Sequence, residues 1–313
     1  MVEGGIATVI YVGDGHRSGT RYEIVDVRDP TAPAFLSSLG HDSRIPVGAM
    51  VRTGQFLIVQ ESDAAGRPTL NTYDFSEPSR PLRVASLPMA GIITDMAVDG
   101  SRLALIHKPQ APVPPEAEPR VEIYNIADPA KPARVADIDF QAVGIGEFAI
   151  PPSQIEFADD TVFIAALAWN RPEKPFQLHA FDVADPTAPR HLATLALPMS
   201  PTDLIVQDGY LFAITQCSSP AAAGCSIVIV DVRDPANSRI AGQLPGASGA
   251  AEANPEVRKS PNSVAVGHGL VYVASGAAGI YVYRPRLDWP PEAGVLPLQT
   301  IYLPMDLKSH ELR

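Results

Sequence analysis

Cysteine is nearly missing from this chain, with two in 313 residues, too few for a disulfide framework or a thiolate metal cluster. Basic charge is short as well. Lys and Arg number 24 against 35 Asp and Glu, a formal net charge of −11. That balance argues against nucleic acid or an anionic membrane as partner, since both demand a basic face. No apolar run approaches the roughly 18 residues that a membrane helix needs, and residues 1–13 lack the basic start and long apolar core of an export signal. A GxSxG, a Walker loop and a GxGxxG set between strand and helix are absent. The seven histidines fall at no HxxxH or HxH spacing, so transition-metal ligation has no motif to rest on.

Proline and apolar residues, by contrast, are plentiful. The 32 prolines are about twice average usage, and 46% of residues are apolar, ample for a folded interior. The prolines recur within one unit. It is clearest as IVIVDVRDP at 227–235 and returns as IVDVRDPTAP (24–33), TYDFSEPSRP (72–81), IYNIADPAKP (123–132) and AFDVADPTAP (180–189), with a degenerate VYRPRLDWPP at 282–291. Pro30, Pro78, Pro129, Pro186, Pro235 and Pro290 follow one another at 48, 51, 57, 49 and 55 residues. A period of this length means an array of supersecondary units. Each copy is a β-branched or aromatic strand ended by acid-Pro. The Pro presets φ for a turn, forces its predecessor to be extended and cannot continue a central strand, while the acid can accept hydrogen bonds from turn amides. The motif reads as a chain reversal without chemistry of its own.

Two strands precede each motif and one follows it. In the clearest repeat they are 203–206 and 210–215, then the motif strand 227–232, then SRIAGQL. Four antiparallel strands per repeat make a propeller blade. Matching first strands are 47–51, 95–98, 154–157 and 263–266, and matching second strands are 56–59, 103–106, 162–166 and 270–274. The first repeat starts directly on a second strand at 7–12. PMDL at 304–307 copies PTDL at 201–204, so the C-terminus is expected to supply the missing strand. The expectation is an all-β chain, a single β-propeller domain over 1–313 with six blades and not seven, whose ring is closed by N- and C-terminal strands in one blade. Closure would remove the exposed sheet edges.

The repeated IVDVxDP, with the strand pair at 264–273 before its last copy, resembles the LVIVD-repeat β-propeller family over nearly the whole chain. The resemblance implies an extracellular or envelope protein without an assigned reaction. Asn125 and Arg284 replace the strand Asp, which implies altered lower edges in the third and sixth blades. Cys217 and Cys225 flank the tip of a predicted hairpin. Paired, they would contribute about 2–3 kcal/mol; two free surface thiols are the alternative. A disulfide suits an extracellular or periplasmic protein whose export signal has been removed or lies outside this chain.

In other propellers, the connections into first strands and those between second and third strands share one face, where sites usually lie. Period-matched positions there are Gly48, Asp95, Gln154, Asp203, Ser263 and Asp306, with Asn262 one column earlier. Asp95, Gln154, Asp203, Asn262 and Asp306 form a candidate oxygen set for Ca²⁺ or Mg²⁺, and such an ion could polarise an ester or lactone carbonyl. The plainer reading is that these groups cap strand starts. Long connections at 61–69, 108–119, 168–176, 216–224, 142–152 and 245–261 mark that face for recognition. His107, Trp169, Asn170 and Arg171 are the side chains suited to grip a ligand there, although Trp169 could equally pack its own loop. No catalytic residue stands out. The functional expectation is a monomeric extracytoplasmic scaffold that binds a protein, peptide or glycan. The alternative is a divalent-metal-assisted hydrolase of the lactonase type working through the acidic ring, so enzyme activity stays open.

Overall fold

A computed structural model of the chain describes residues 2–3, 6–12, 20–29, 32–39, 49–63, 65–109, 120–138, 140, 150–167, 176–215, 226–245, 263–267, 270–274, 280–283 and 301–303. Among them there is no α-helix, and Pro235–Asn237 forms a 3₁₀ turn. The fold is all-β. Six four-stranded sheets follow one another in chain order. The first contains β1 (Val2–Glu3), β2 (Ile6–Val12), β3 (Thr20–Asp26) and β4 (Ala34–Leu39); the second β5 (Met50–Thr53), β6 (Phe56–Ser62), β7 (Pro68–Asp74) and β8 (Leu82–Pro88); the third β9 (Gly91–Asp99), β10 (Arg102–Pro109), β11 (Arg120–Asn125) and β12 (Ala133–Ile138). The fourth contains β13 (Ile150–Ala158), β14 (Thr161–Leu167), β15 (Phe176–Asp182) and β16 (Arg190–Leu197); the fifth β17 (Pro201–Gln207), β18 (Tyr210–Thr215), β19 (Ser226–Asp231) and β20 (Arg239–Pro245); the sixth β21 (Ser263–Gly267), β22 (Leu270–Ala274), β23 (Ile280–Tyr283) and β24 (Ile301–Leu303). Wherever register is described, neighbouring strands are antiparallel.

Two differences from the sequence reading matter. Val2–Glu3 pairs with Ala7 and Ile6, so the first sheet already has a strand on the edge reserved for 304–307, a segment that lies outside the described residues. The expected connection 61–69 is mostly strand, because Glu61 pairs with Thr69 and Ser62 with Pro68. Asp63 closes what remains: its carboxyl accepts the N–H of Ala65 (2.8 Å), the N–H of Arg67 (2.9 Å) and Nε of Arg67 (2.7 Å).

The chain divides into two compact units, Met1–Gly146 with Pro151–Val162 and Asp182–Arg190, and Glu147–Ile150 with Phe163–Phe181 and His191–Arg313. In the first unit the core lies in layers between sheets. Ile6, Tyr22 and Ile24 pack with Leu57, Val59, Tyr73 and Phe75; Val51, Ile58 and Leu70 pack with Ile93, Met96, Leu103, Leu105 and Tyr124. In the second unit β17 lies against β21, and every residue of β18 is buried. A strand buried on both faces needs no alternation, which is why YLFAIT reads as a continuous apolar run.

The acid-Pro motif forms the expected turn. An N–H three residues on donates to the carbonyl of each motif acid: Ala32 to Asp29 (3.1 Å), Arg80 to Glu77 (2.8 Å), Lys131 to Asp128 (2.8 Å), Ala188 to Asp185 (3.0 Å) and Asn237 to Asp234 (3.0 Å). A second device sits at the strand end. Oδ1 of Asp26, Asp74, Asn125, Asp182 and Asp231 accepts the backbone N–H two residues further along, from Arg28, Ser76, Ala127, Ala184 and Arg233, at 2.7–3.3 Å. A carboxamide oxygen does this as well as a carboxylate, so Asn125 does not alter the edge of the third sheet, contrary to expectation. Arg284 lies outside the described residues. A third bond joins the motif to the hairpin between first and second strands. The N–H of Phe75, Ile126, Val183 and Val232 donates to the carbonyl of Gln55, Ser101, Asp160 and Gly209 at 2.7–3.0 Å.

Asp208 and Gly209 make that hairpin in the fifth sheet with φ of 53° and 75°. A Cβ on Gly209 would stand 2.4 Å from Cγ of Arg233, whose guanidinium pairs with Asp231 and lies over the Tyr210 ring at 5.2 Å. The Arg233 hydrogen bond holds the Asp231 carboxyl down to about 2. Gly209→Ala should therefore destabilise the protein by about 1–2 kcal/mol in urea unfolding. Gly242→Ala in β20, where a Cβ meets nothing within 4 Å, should be neutral or stabilising. Equal effects at the two sites would contradict the role given to this hairpin.

Candidate functional site

Three of the five residues in the candidate oxygen set are described. Asp95 in β9 is half-buried; its Oδ1 accepts the N–H of Met96 (2.9 Å) and its Oδ2 the N–H of Ile155 in β13 (2.8 Å). It fastens β9 to β13 from within β9, four residues after the strand begins at Gly91, so it is a link between strands and not a cap on a strand start. Thr94 and Thr202 repeat a second bond, each Oγ1 donating across its hairpin to the carbonyl of Ile106 (3.4 Å) or Ile214 (3.5 Å). Gln154 in β13 and Asp203 in β17 are half-buried. Asn262, Asp306, Trp169, Asn170, Arg171, Cys217 and Cys225 lie outside the described residues. Among the described residues no three His, Cys, Asp or Glu side chains gather as a metal ion would require.

Buried polar chemistry lies between the sheets. One residue before the strand-end Asp or Asn stand Tyr73, Tyr124, Phe181 and Val230; three before it stand Asn71, Glu122, His179 and Val228. The second-strand residues paired five positions before it are Glu61, opposite Thr69, and His107, opposite Arg120. A strand period of two puts these positions on one face. In the second sheet Glu61 Oε2 accepts the Tyr73 hydroxyl (2.7 Å) and the Asn71 side-chain amide. In the third, Glu122 Oε2 accepts the Tyr124 hydroxyl (2.8 Å), while Oε1 lies 3.3 Å from Nε of Arg134 and 3.5 Å from Nε2 of His107. The tyrosine keeps its place and the carboxylate changes strand. Arg83 and Arg134 occupy the same outer-strand position, paired with Tyr73 and Tyr124. In the fourth sheet, within the second unit, His179 Nδ1 and His191 Nε2 both meet Thr194 Oγ1, at 3.0 and 3.1 Å.

Burial sets the protonation states. Burial first, and then the hydrogen bond to a carboxylate, pushes Tyr73 and Tyr124 well above the ordinary phenol range. Burial does the same to Tyr22, whose hydroxyl donates to the Gln60 carbonyl (3.2 Å). These phenols stay neutral donors. Burial pushes His107 below the ordinary imidazole value against the pull of Glu122. With His107 4% and Glu122 8% exposed, neither meets a ligand from solvent; His107 sits inside a sheet, not on the recognition face where it was expected. Sequence reasoning passed over Glu61, Glu122 and both tyrosines. The signal was a polar residue inside a strand at constant spacing before the motif Asp.

Tyr124→Phe leaves Glu122 Oε2 without its phenol donor. The loss should cost about 1–3 kcal/mol, and Tyr73→Phe a similar amount through Glu61. A denaturant midpoint unchanged in both variants would show that neither carboxylate depends on its phenol.

The fold and these layers define the class: an all-β, propeller-like set of four-stranded sheets. Among solved structures the chain is similar to a functionally unknown protein from Desulfotomaculum acetoxidans DSM 771, with TM-score 0.57 and 11% identity over 90% of this chain and 81% of that one. It is also similar to the computationally designed Ika8 protein, with TM-score 0.51 and 11% identity over 89% and 83%. At such identity the likeness shows fold alone. No protein-family model matches the chain, and no curated protein matches it.

Proposed function

We propose that the chain is an extracytoplasmic binding scaffold of the LVIVD-repeat type, a monomeric six-bladed β-propeller. Its ligand is a protein, peptide or glycan. The observation that carries this reading is the unequal length of connections at the two ends of the third, fourth and fifth sheets. First and second strands are joined by Gly54-Gln55, Gly100-Ser101, Asp159-Asp160 and Asp208-Gly209, whereas 110–119, 168–175 and 216–225 separate second from third strands and 139–149 and 246–262 lead into first strands. Variable length concentrated at one end of rigid sheets favours recognition there. Trp169, Asn170 and Arg171 supply a stacking surface, an amide and a guanidinium on one such connection, and a Cys217–Cys225 disulfide would staple another.

The metal-assisted hydrolase has less in its favour. Asp95 already gives both carboxylate oxygens to backbone N–H groups, so a Ca²⁺ at that position would have to compete with the β9–β13 link. Glycan and peptide arrays probed with the full chain test the binding reading. Trp169→Ala with Arg171→Ala should lose the binding of the wild type at unchanged melting temperature. Retained binding, or a calcium-dependent rise in melting temperature that Asp203→Asn abolishes, would overturn it in favour of the acidic ring.

A further inference from the structure

Both ring nitrogens of His107 are buried without a hydrogen-bond partner, an unusual state for an imidazole. The backbone explains how the ring is held. Register shifts between Ile106 and His107, so that Ile106 opposes Asp95 and His107 opposes Ile93, with Thr94 of β9 as the extra residue of a bulge beside the imidazole. At the start of β9, where Gly91 pairs with Pro109, a Cβ on Gly91 would stand 2.2 Å from the Lys108 carbonyl oxygen and 3.2 Å from His107 Nδ1. A strand can approach this closely only with glycine there. The ring is thus fixed by packing, with Nε2 3.5 Å from the buried Glu122 carboxylate, whose oxygens are already in use by Tyr124 and Arg134.

We propose that His107 is a proton-operated latch on the β9–β10 edge of the third sheet. The neutral ring is tolerated in its packed place, and uptake of one proton from solvent by a ring nitrogen opens that edge. Burial sets the direction, against the pull of Glu122. Glu122 and Arg120 approach from β11, Arg134 and Asp137 from β12, and Lys108 follows on β10 itself; the second-sheet residues packed on this layer, Val51, Ile58 and Leu70, carry no titratable group. Glu122 is shared with Arg134, and Arg134 also holds Asp137 through Nε (2.9 Å). An imidazolium would therefore be a fourth cation, with Arg120, Arg134 and Lys108, against the two carboxylates of Glu122 and Asp137. It would also carry its charge where solvent does not reach.

Because the folded state holds the imidazole below its unfolded value of about 6.5, the stability it confers is complete above that value and is lost as pH falls toward the folded value. Proton-linked opening then rises by up to about tenfold per pH unit. Native-state hydrogen exchange from pH 7 to 5, corrected for intrinsic rates, should show this rise at His107 and Lys108, and His107→Gln, neutral at every pH, should remove it. NMR titration of the wild type gives a second readout: His107 should titrate below the ordinary imidazole value, and lower still in Glu122→Gln. A His107 that titrates at or above the ordinary value overturns the latch, as does a pH dependence that survives His107→Gln. If His107→Gln does not fold, the wild-type titration decides alone.

Discussion

The bond on which the architecture depends runs from the strand-end side-chain oxygen to the backbone N–H two residues on. Asp26, Asp74, Asn125, Asp182 and Asp231 all make it. It turns the chain out of the third strand at a fixed place. The acid-Pro turn can then close, and the next residue's N–H can reach the neighbouring hairpin, as Phe75 reaches Gln55 and Val232 reaches Gly209. Three short hydrogen bonds fix where the third strand stops relative to the first hairpin. Since a slip of one residue would turn every side chain to the wrong face, that stop also fixes which residues enter the layers between sheets.

The buried polar pairs follow from this register. Tyr73 and Tyr124 stand one residue before the locked end, and the carboxylates that accept their hydroxyls come from different strands, Glu61 on β6 and Glu122 on β11. The same geometric slot is satisfied twice by different covalent routes. In these two sheets the phenol keeps its place while its acceptor comes from different strands. In the fifth sheet Val230 and Val228 fill the third-strand positions and are buried, so those two positions also accept apolar side chains. Polar pairing there is a property of particular repeats, not of the fold.

Much of the fold was legible because the repeat is written in proline and acid at constant spacing, and because the strands carry β-branched and aromatic residues. The turn and the four-strand order followed; the two-residue hairpins were expected as connections of three or four residues. Strand length was not legible: β9 runs on to Gly91, before the expected 95–98, because a strand continues wherever a partner supplies hydrogen bonds, whatever its side chains. Asp95 reads as either a cap or a ligand when the strand is expected to start there; in mid-strand it instead accepts the N–H of Ile155 and links β9 to β13. Glu61 was taken for loop because an acid beside Ser62 and Asp63 looks solvated. Its burial depends on Asn71 and Tyr73, which lie across a turn that sequence does not fold by itself.

The most direct measurement of the central claim is native-state hydrogen exchange at the amides of Phe75, Ile126, Val183 and Val232. If the strand-end lock sets the register of its sheet, these four amides, though they flank turns, should exchange only through opening as rare as that of the central strands β10 and β18. Exchange at rates typical of exposed turn amides, with β10 and β18 still protected, would show that the sheets hold their register without the lock.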